Sequence, residues 1–389
     1  MKKIYFNNCL TSKPAPEVVD TMLPYLKENF YFPGNFIETG ETIASHLQDF
    51  KEKIAATIGA KANEIHFTTG GTSANNIAIK GYLSANAHKG THIICSVIDY
   101  PDLLTNAAFF EQSGFEVTYL NADWDGFIDL NQLEKAIRPD TILFMTTLAN
   151  HTTGTIQPLR EIKDILAKAD HKIAVHVDAC EAYARLPINV NELGIDLMSV
   201  SAHKFHGPQG VGFLYQRKGI VLGQFKHGIR RIDNLETGGI SIAAIAGMNK
   251  AVELAFENFE ENTKKIKELS QYLLRKIEER IPHTILNGPR GDKRAPHNIN
   301  ISFEFIEGEA IMMMMDLNGI SADTGSACAS EGLKPNYVLM ALGRTHEQSH
   351  GSIKFTLSRY NTREEIDYTV NKLEQIVREL RSRSPLYNK

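Results

Sequence analysis

The sequence predicts an α/β protein with a large domain on a mainly parallel sheet and a smaller α+β domain. Three observations carry this. Between residues 65 and 216, short apolar runs alternate with amphipathic stretches, the pattern of crossover units around a parallel sheet. Residues 242–281 then read as one long helical stretch, with no proline and no glycine after Gly247. Beyond it, the strand-like runs alternate apolar with polar residues, as half-buried strands do.

Taken in order, the strand-like runs of the first region are residues 65–69, 92–97, 115–120, 141–148, 172–177, 197–201 and 211–215. Helical periodicity lies between them, for example at 130–137 and 159–169. In the last third, 298–303 and 352–357 read as strands, and 308–317 and 362–382 as helices. The run Met312 to Met315 reads as flexible filler on a buried helix face rather than a soft-metal site. The expected division is a large domain over 15–254, and a small domain made of 255–389 with residues 1–14.

Composition narrows the function classes. At 389 residues the chain can bury a large core without disulfide or metal staples. Its formal net charge of -4 gives nucleic acid and anionic lipid no general attraction. Two lysines at the start have no apolar run behind them, so no secretory signal is expected, and no stretch reaches the ~18 apolar residues of a membrane span. The four cysteines, Cys9, Cys95, Cys180 and Cys328, are far apart and form no C-x-x-C pair. This argues against a zinc site or disulfide framework and for a reducing cytoplasm.

Three motifs at strand ends converge on one chemistry. In Ser201-Ala202-His203-Lys204, a lysine follows a strand at the carboxyl edge, where such sheets bind ligands; its amine can form an imine with an aldehyde, while Ser201 and His203 offer donors to a phosphate. In Val175-His176-Val177-Asp178, a strand ends in an acid that can keep a pyridine nitrogen protonated. In Thr68-Thr69-Gly70-Gly71-Thr72-Ser73, a strand runs through glycines into a helix whose first N–H groups suit an anion. This last motif fits neither G-x-G-x-x-G nor the P-loop spacing.

With those residues in view, the sequence resembles the class V branch of fold-type I pyridoxal-phosphate enzymes, and within it the NifS/IscS-type cysteine desulfurases. The similarity is strongest over residues 67–81, 201–215 (SAHKFHGPQGVGFLY), 324–343 (TGSACASEGLKPNYVLMALG) and 352–368. The resemblance implies a homodimer with pyridoxal 5'-phosphate as cofactor, Lys204 as the Schiff-base lysine and Asp178 beneath the ring nitrogen. Gly71, Thr72, Ser201 and His203 would surround the phosphate. It further implies that Cys328, in the small-residue run Gly325-Ser326-Ala327-Cys328-Ala329-Ser330, receives sulfur from L-cysteine as a persulfide, leaving L-alanine. Arg359 would clamp the substrate carboxylate. A sulfur-acceptor or scaffold protein is an implied partner, although only a short stretch follows Pro385, where long-tailed relatives carry a docking segment.

Several positions depart from that pattern, and they cluster around the ring. Tyr100 stands where desulfurases carry a stacked catalytic histidine; tyrosine can stack, but its pKa near 10 suits it poorly to proton transfer at neutral pH. His151 stands where an asparagine bonds the ring's phenolic oxygen, and Glu181 where the family has glutamine. A carboxylate beside a phenolate is repelled, so His151 and Glu181 are expected to form a compensating pair. Gly239 replaces a threonine that reaches the phosphate across the dimer, Gly34-Asn35-Phe36 replaces an asparagine-proline-serine segment, and Asn7 replaces an aspartate. These changes keep a second reading open: a class V carbon–sulfur or carbon–selenium lyase acting on another amino acid, in which Cys328 is dispensable. A non-catalytic sulfur-relay subunit and a metal site from His176, Asp178 and Cys180 are weaker alternatives, the latter lacking an evident fourth ligand.

Overall fold

The computed structural model describes residues 3–33, 37–228, 232, 235–324 and 334–387. After β1 (Ile4–Tyr5) come two helices, α1 (Pro16–Lys27) and α2 (Glu38–Ala56). Seven strands then build the main sheet: β2 (Ile65–Thr68), β3 (His92–Ser96), β4 (Glu116–Leu120), β5 (Thr141–Thr147), β6 (Ala174–Asp178), β7 (Leu197–Ser201) and β8 (Gly212–Gln216). Between them run α3 (Gly71–Asn86), α4 (Pro101–Gln112), α5 (Leu130–Ala136) and α6 (Leu159–Leu166).

The spatial order is β2-β8-β7-β6-β5-β3-β4, with β8 antiparallel to both neighbours and the remaining pairs parallel. Consequently the carboxyl ends of β2, β3, β5, β6 and β7 share one edge. Every residue of β3, β5, β6 and β7 is buried, which explains their continuous apolar character: each is covered on both faces. One apolar cluster, with Phe67, Phe144, Val200 and Phe213, covers one face, and a second, with Ile77, Leu83, Leu103 and Met145, covers the other.

The helical stretch after the sheet differs from its expected form. It is two helices, α7 (Ile242–Phe256) and α8 (Phe259–Arg280), joined through Glu257 and Asn258, where Asn258 leaves the helical region at φ -129°, ψ 44°. The physical cause is a change of partner: α7 packs into the main-sheet core, while α8 faces a separate cluster containing Leu273, Ile277, Phe355 and Leu373. Phe256 and Phe259 stack across the break at 5.2 Å. No glycine or proline announces it.

The remaining elements are β9 (Thr284–Leu286), β10 (Asn298–Phe303), α9 (Gly308–Leu317), β11 (Ile320–Ser321), β12 (Asp323–Thr324), α10 (Tyr337–Ala341), α11 (His346–His350), β13 (Ser352–Thr356) and α12 (Arg363–Arg383). Four form an antiparallel sheet, β12-β13-β10-β9. The amino-terminal strand joins this part of the molecule: β1 pairs with β11, and Ile4 and Phe6 enter the same apolar cluster. Among the described residues no helix is long and apolar enough to cross a membrane.

Candidate active site

The shared strand edge assembles the site. Past the end of β2, Gly70 takes φ +134°, in the region that favours glycine, and α3 begins at Gly71. Gly70, Gly71, Thr72, Ser73, Ser201 and His203 line a cavity of about 810 Å³. A Cβ added at Gly71 would lie 2.5 Å from Cys180 Sγ, so glycine lets the helix start pack this closely against the Cys180 side chain in the turn after β6. His203 is held neutral, its pKa pushed down to about 4 by burial and then by the charge of Lys204. Its Nδ1 is buried without a hydrogen-bond partner.

At the end of β6, Asp178 is buried. Its carboxylate accepts from Asn75 Nδ2 at 2.7 Å and from the Cys180 backbone N–H at 2.9 Å. Burial raises its pKa, against the pull of those hydrogen bonds. Asn75, one turn into α3, is a site residue the sequence reading missed.

Lys204 follows β7 in a short 3-10 turn. Its amine donates to the Cys9 carbonyl and, at 2.9 Å, to Glu181 Oε1. Arg185 Nη1 reaches Glu181 Oε2 at 3.0 Å, and Arg185 Nη2 donates to the Lys204 carbonyl at 2.6 Å. His297 Nε2 lies 3.2 Å from the same Oε2. Burial works against the Lys204 ammonium, yet Glu181 holds the pKa well above the ordinary lysine value. Glu181 likewise resists burial: Lys204, His297 and Arg185 keep it well below the usual carboxylate range.

This network corrects the expected His151–Glu181 pair. The groups that offset the carboxylate are Lys204 and Arg185. His151 Nε2 is instead 3.3 Å from the Tyr337 hydroxyl. Burial pushes its pKa down to about 3, so it is a neutral imidazole and carries no charge to share. Tyr100 stands edge-on to His151, with ring centroids 5.1 Å apart and planes at 86°. Burial pushes the Tyr100 phenol up to about 12, consistent with a packing ring rather than a proton carrier. Arg185 lies one helical turn after Glu181, a spacing that could have flagged it; His297, 116 residues away, gave no local signal.

Arg359, the residue expected to clamp the substrate carboxylate, is engaged by protein groups. Arg359 donates to the Leu254 carbonyl at 3.1 Å and to the Tyr360 hydroxyl at 3.2 Å, facing a narrow cleft behind Lys204. The polar face of β13 turns Lys354 inward instead. Lys354 is buried, pairs with Asp323 Oδ2 at 3.0 Å, and is close enough to His151 to depress its pKa. The sequence reading missed it because a lysine inside an alternating strand resembles any solvent-facing cation.

Cys328 and the segment Gly34-Asn35-Phe36 lie outside the described residues. Gly239 has open space around it. His176 is taken up by Ser199 Oγ at 3.1 Å, and among the described residues no three His, Cys, Asp or Glu side chains gather to hold a metal ion.

The donor set matches a phosphorylated aldehyde with a basic ring nitrogen. The cavity offers helix-start N–H groups, hydroxyls that include those of Thr72, Ser73 and Ser201, and the neutral imidazole of His203 to a phosphate. Asp178 is a buried acid with a raised pKa, suited to a pyridinium, and Lys204 supplies the amine.

Comparison with known proteins agrees. The aminotransferase class-V family matches residues 4–369. "Cysteine desulfurase IscS" of Dictyoglomus turgidum is 44% identical over 384 residues, covering 99% of this chain and 97% of the relative. The protein of the same name from Methanosarcina thermophila is 42% identical over 385 residues, covering 99% and 94%. Among solved structures, a "NifS-like protein" superposes with a TM-score of 0.91 at 30% identity, covering 97% of this chain and all of that one.

Proposed function

The chain belongs to the class V aminotransferase family, and on that premise we propose how its residues perform as a pyridoxal-phosphate-dependent cysteine desulfurase. The reaction converts L-cysteine to L-alanine and passes the sulfur to Cys328 as a persulfide. The observation that carries the reading is the convergence of the Lys204 amine, the Asp178 carboxyl and the Gly71–Thr72 helix start on one sheet edge. Full-length relatives named cysteine desulfurase give the substrate.

When bound, the cofactor supplies an aldehyde that captures amines and a ring that withdraws electrons from the substrate Cα. Gly71, Thr72, Ser201 and His203 hold the phosphate, and Asp178 keeps a proton on the ring nitrogen. Lys204 Nζ is the base for the Cα proton, and Glu181, anchored by Arg185, orients it. His151 and Tyr100 wall the ring as neutral groups. Lys354 receives the substrate carboxylate, a role supported by its buried position and by the outward engagement of Arg359. The Cys328 thiolate attacks the substrate sulfur; the substrate's Cβ–Sγ bond breaks as the sulfur–sulfur bond forms, and its electron pair stays with Cβ, which takes up a proton on the way to alanine.

The chain is read as two domains, 15–254 and 255–389 with 1–14, a division supported by the separate apolar cluster that takes in Ile4 and Phe6. It is also read as a homodimer, supported by the exposed apolar side chains Val19, Leu23 and Leu26 on α1 with nearby Phe30. A protein sulfur acceptor, of the kind iron–sulfur cluster assembly uses, and a cytoplasmic location complete the reading; the free thiols of Cys9, Cys95 and Cys180 suit a reducing compartment.

Incubating purified protein with L-cysteine, measuring alanine and sulfide, and mapping the persulfide by mass spectrometry tests this. Turnover lost in Cys328→Ala supports the desulfurase; turnover retained would turn the reading to a lyase.

A further inference from the structure

We propose that Lys226 is the cationic anchor of the cofactor phosphate, held at the mouth of the cradle by Glu236 and Ser73. This rests on the pyridoxal-phosphate reading above and adds to it a residue outside the three strand-end motifs.

A phosphate monoester near neutral pH carries between one and two negative charges, about -1.5 to -2. Hydroxyls and a helix start supply only partial positive charge. His203 is a neutral donor at working pH. Among the described residues that line the cavity, Lys226 is the cationic side chain.

Its placement is built rather than incidental. The Lys226 ammonium donates to Ser73 Oγ at 2.8 Å and to Glu236 Oε1. Ser73 Oγ in turn donates to Glu236 Oε2 at 2.6 Å. Ser73 belongs to the first turn of α3, the same turn whose N–H groups face the cavity. Glu236 is buried, only 3% exposed, and does not line the cavity, whereas Lys226 and Ser73 do. The pair is therefore oriented, with the cation in front and the carboxylate behind. A buried carboxylate this close to a phosphate would repel it unless an ammonium stood between them. Two of the three ammonium hydrogens go to Ser73 and Glu236, which leaves one for a phosphate oxygen.

The test compares pyridoxal phosphate with pyridoxal, which lacks the phosphate. Cofactor-free protein is titrated with each, following absorbance, for wild type, Lys226→Met and Lys226→Arg. The expected result is a loss of about ten- to a hundredfold in pyridoxal-phosphate affinity for Lys226→Met, the range of one charge-assisted hydrogen bond. Pyridoxal affinity should change less than about twofold, and Lys226→Arg should recover most of the loss. Because Lys226→Met strands a buried carboxylate, the double variant Lys226→Met/Glu236→Gln is measured beside it and should show the same phosphate-specific loss. Wild-type affinity for pyridoxal phosphate in both methionine variants overturns the proposal, as does an equal loss for both ligands. Wild-type protein that bound neither ligand would instead bring down the cofactor reading itself.

Discussion

The amine of Lys204 lies 2.9 Å from Oε1 of Glu181, while Arg185 and His297 occupy Oε2. With every oxygen of the carboxylate engaged by a donor, Glu181 stays ionised and the lysine is stored as an ammonium. An ammonium has no lone pair, so it must shed its proton before it can attack an aldehyde.

Glu181→Gln should therefore speed cofactor capture. Burial alone lowers the pKa of Lys204, and Glu181 is the first of the groups that raise it. Below that raised pKa, the free-amine fraction grows about tenfold per pH unit. Stopped-flow absorbance should show wild-type capture accelerating up through alkaline pH. In the glutamine variant it should be faster by about tenfold or more at pH 7.5, with a flatter profile. Unchanged rates would mean that the ion pair does not limit the amine.

The two candidate carboxylate binders separate kinetically. Lys354→Met should raise KM for L-cysteine by about ten- to a hundredfold, the worth of one hydrogen bond to a charged group. Arg359→Met, which loses contacts to Leu254 and Tyr360, should change KM less than about threefold. Steady-state alanine production measures both.

Gly71→Ala should weaken cofactor binding, because its methyl group would sit 2.5 Å from Cys180 Sγ. Removing that sulfur makes room, so Gly71→Ala/Cys180→Ala should regain much of the affinity. Titration with pyridoxal phosphate reads the pair as a double-mutant cycle with a favourable coupling of about 1 kcal/mol or more.

Buried neutral histidines make the fold acid-sensitive. Burial lowers His151 and His176 to about 3 and His297 to about 4, whereas in the unfolded chain each titrates near 6.5. Between those values the unfolded state binds more protons, so stability falls as pH drops from about 6.5 toward 4. Asp99, raised to about 7, and Asp178, also raised, act in the opposite direction, but the histidines outnumber them. Urea midpoints measured from pH 7 down to 5 should decrease.

The strand pattern was legible because β3, β5, β6 and β7 are buried on both faces, and a run of apolar residues is the direct signature of that environment. The break between α7 and α8 was not, since both helices keep good helical periodicity and only their packing partners change. In the same way Asp178, Ser201, His203 and Lys204 were legible as strand-end residues. The partners of Glu181 were not: a carboxylate's sequence neighbours do not disclose which distant cation folds against it.

The sequence by itself determined the cofactor chemistry, because each chemical part sits in a short contiguous motif whose local geometry follows from strand, turn and helix start. Tertiary structure alone decided the charge states and the choice of cation. Those depend on which groups from β13, the turn after β6 and the residue before β10 are buried together, where burial and Coulomb forces over a few ångströms outweigh any preference written locally in the chain.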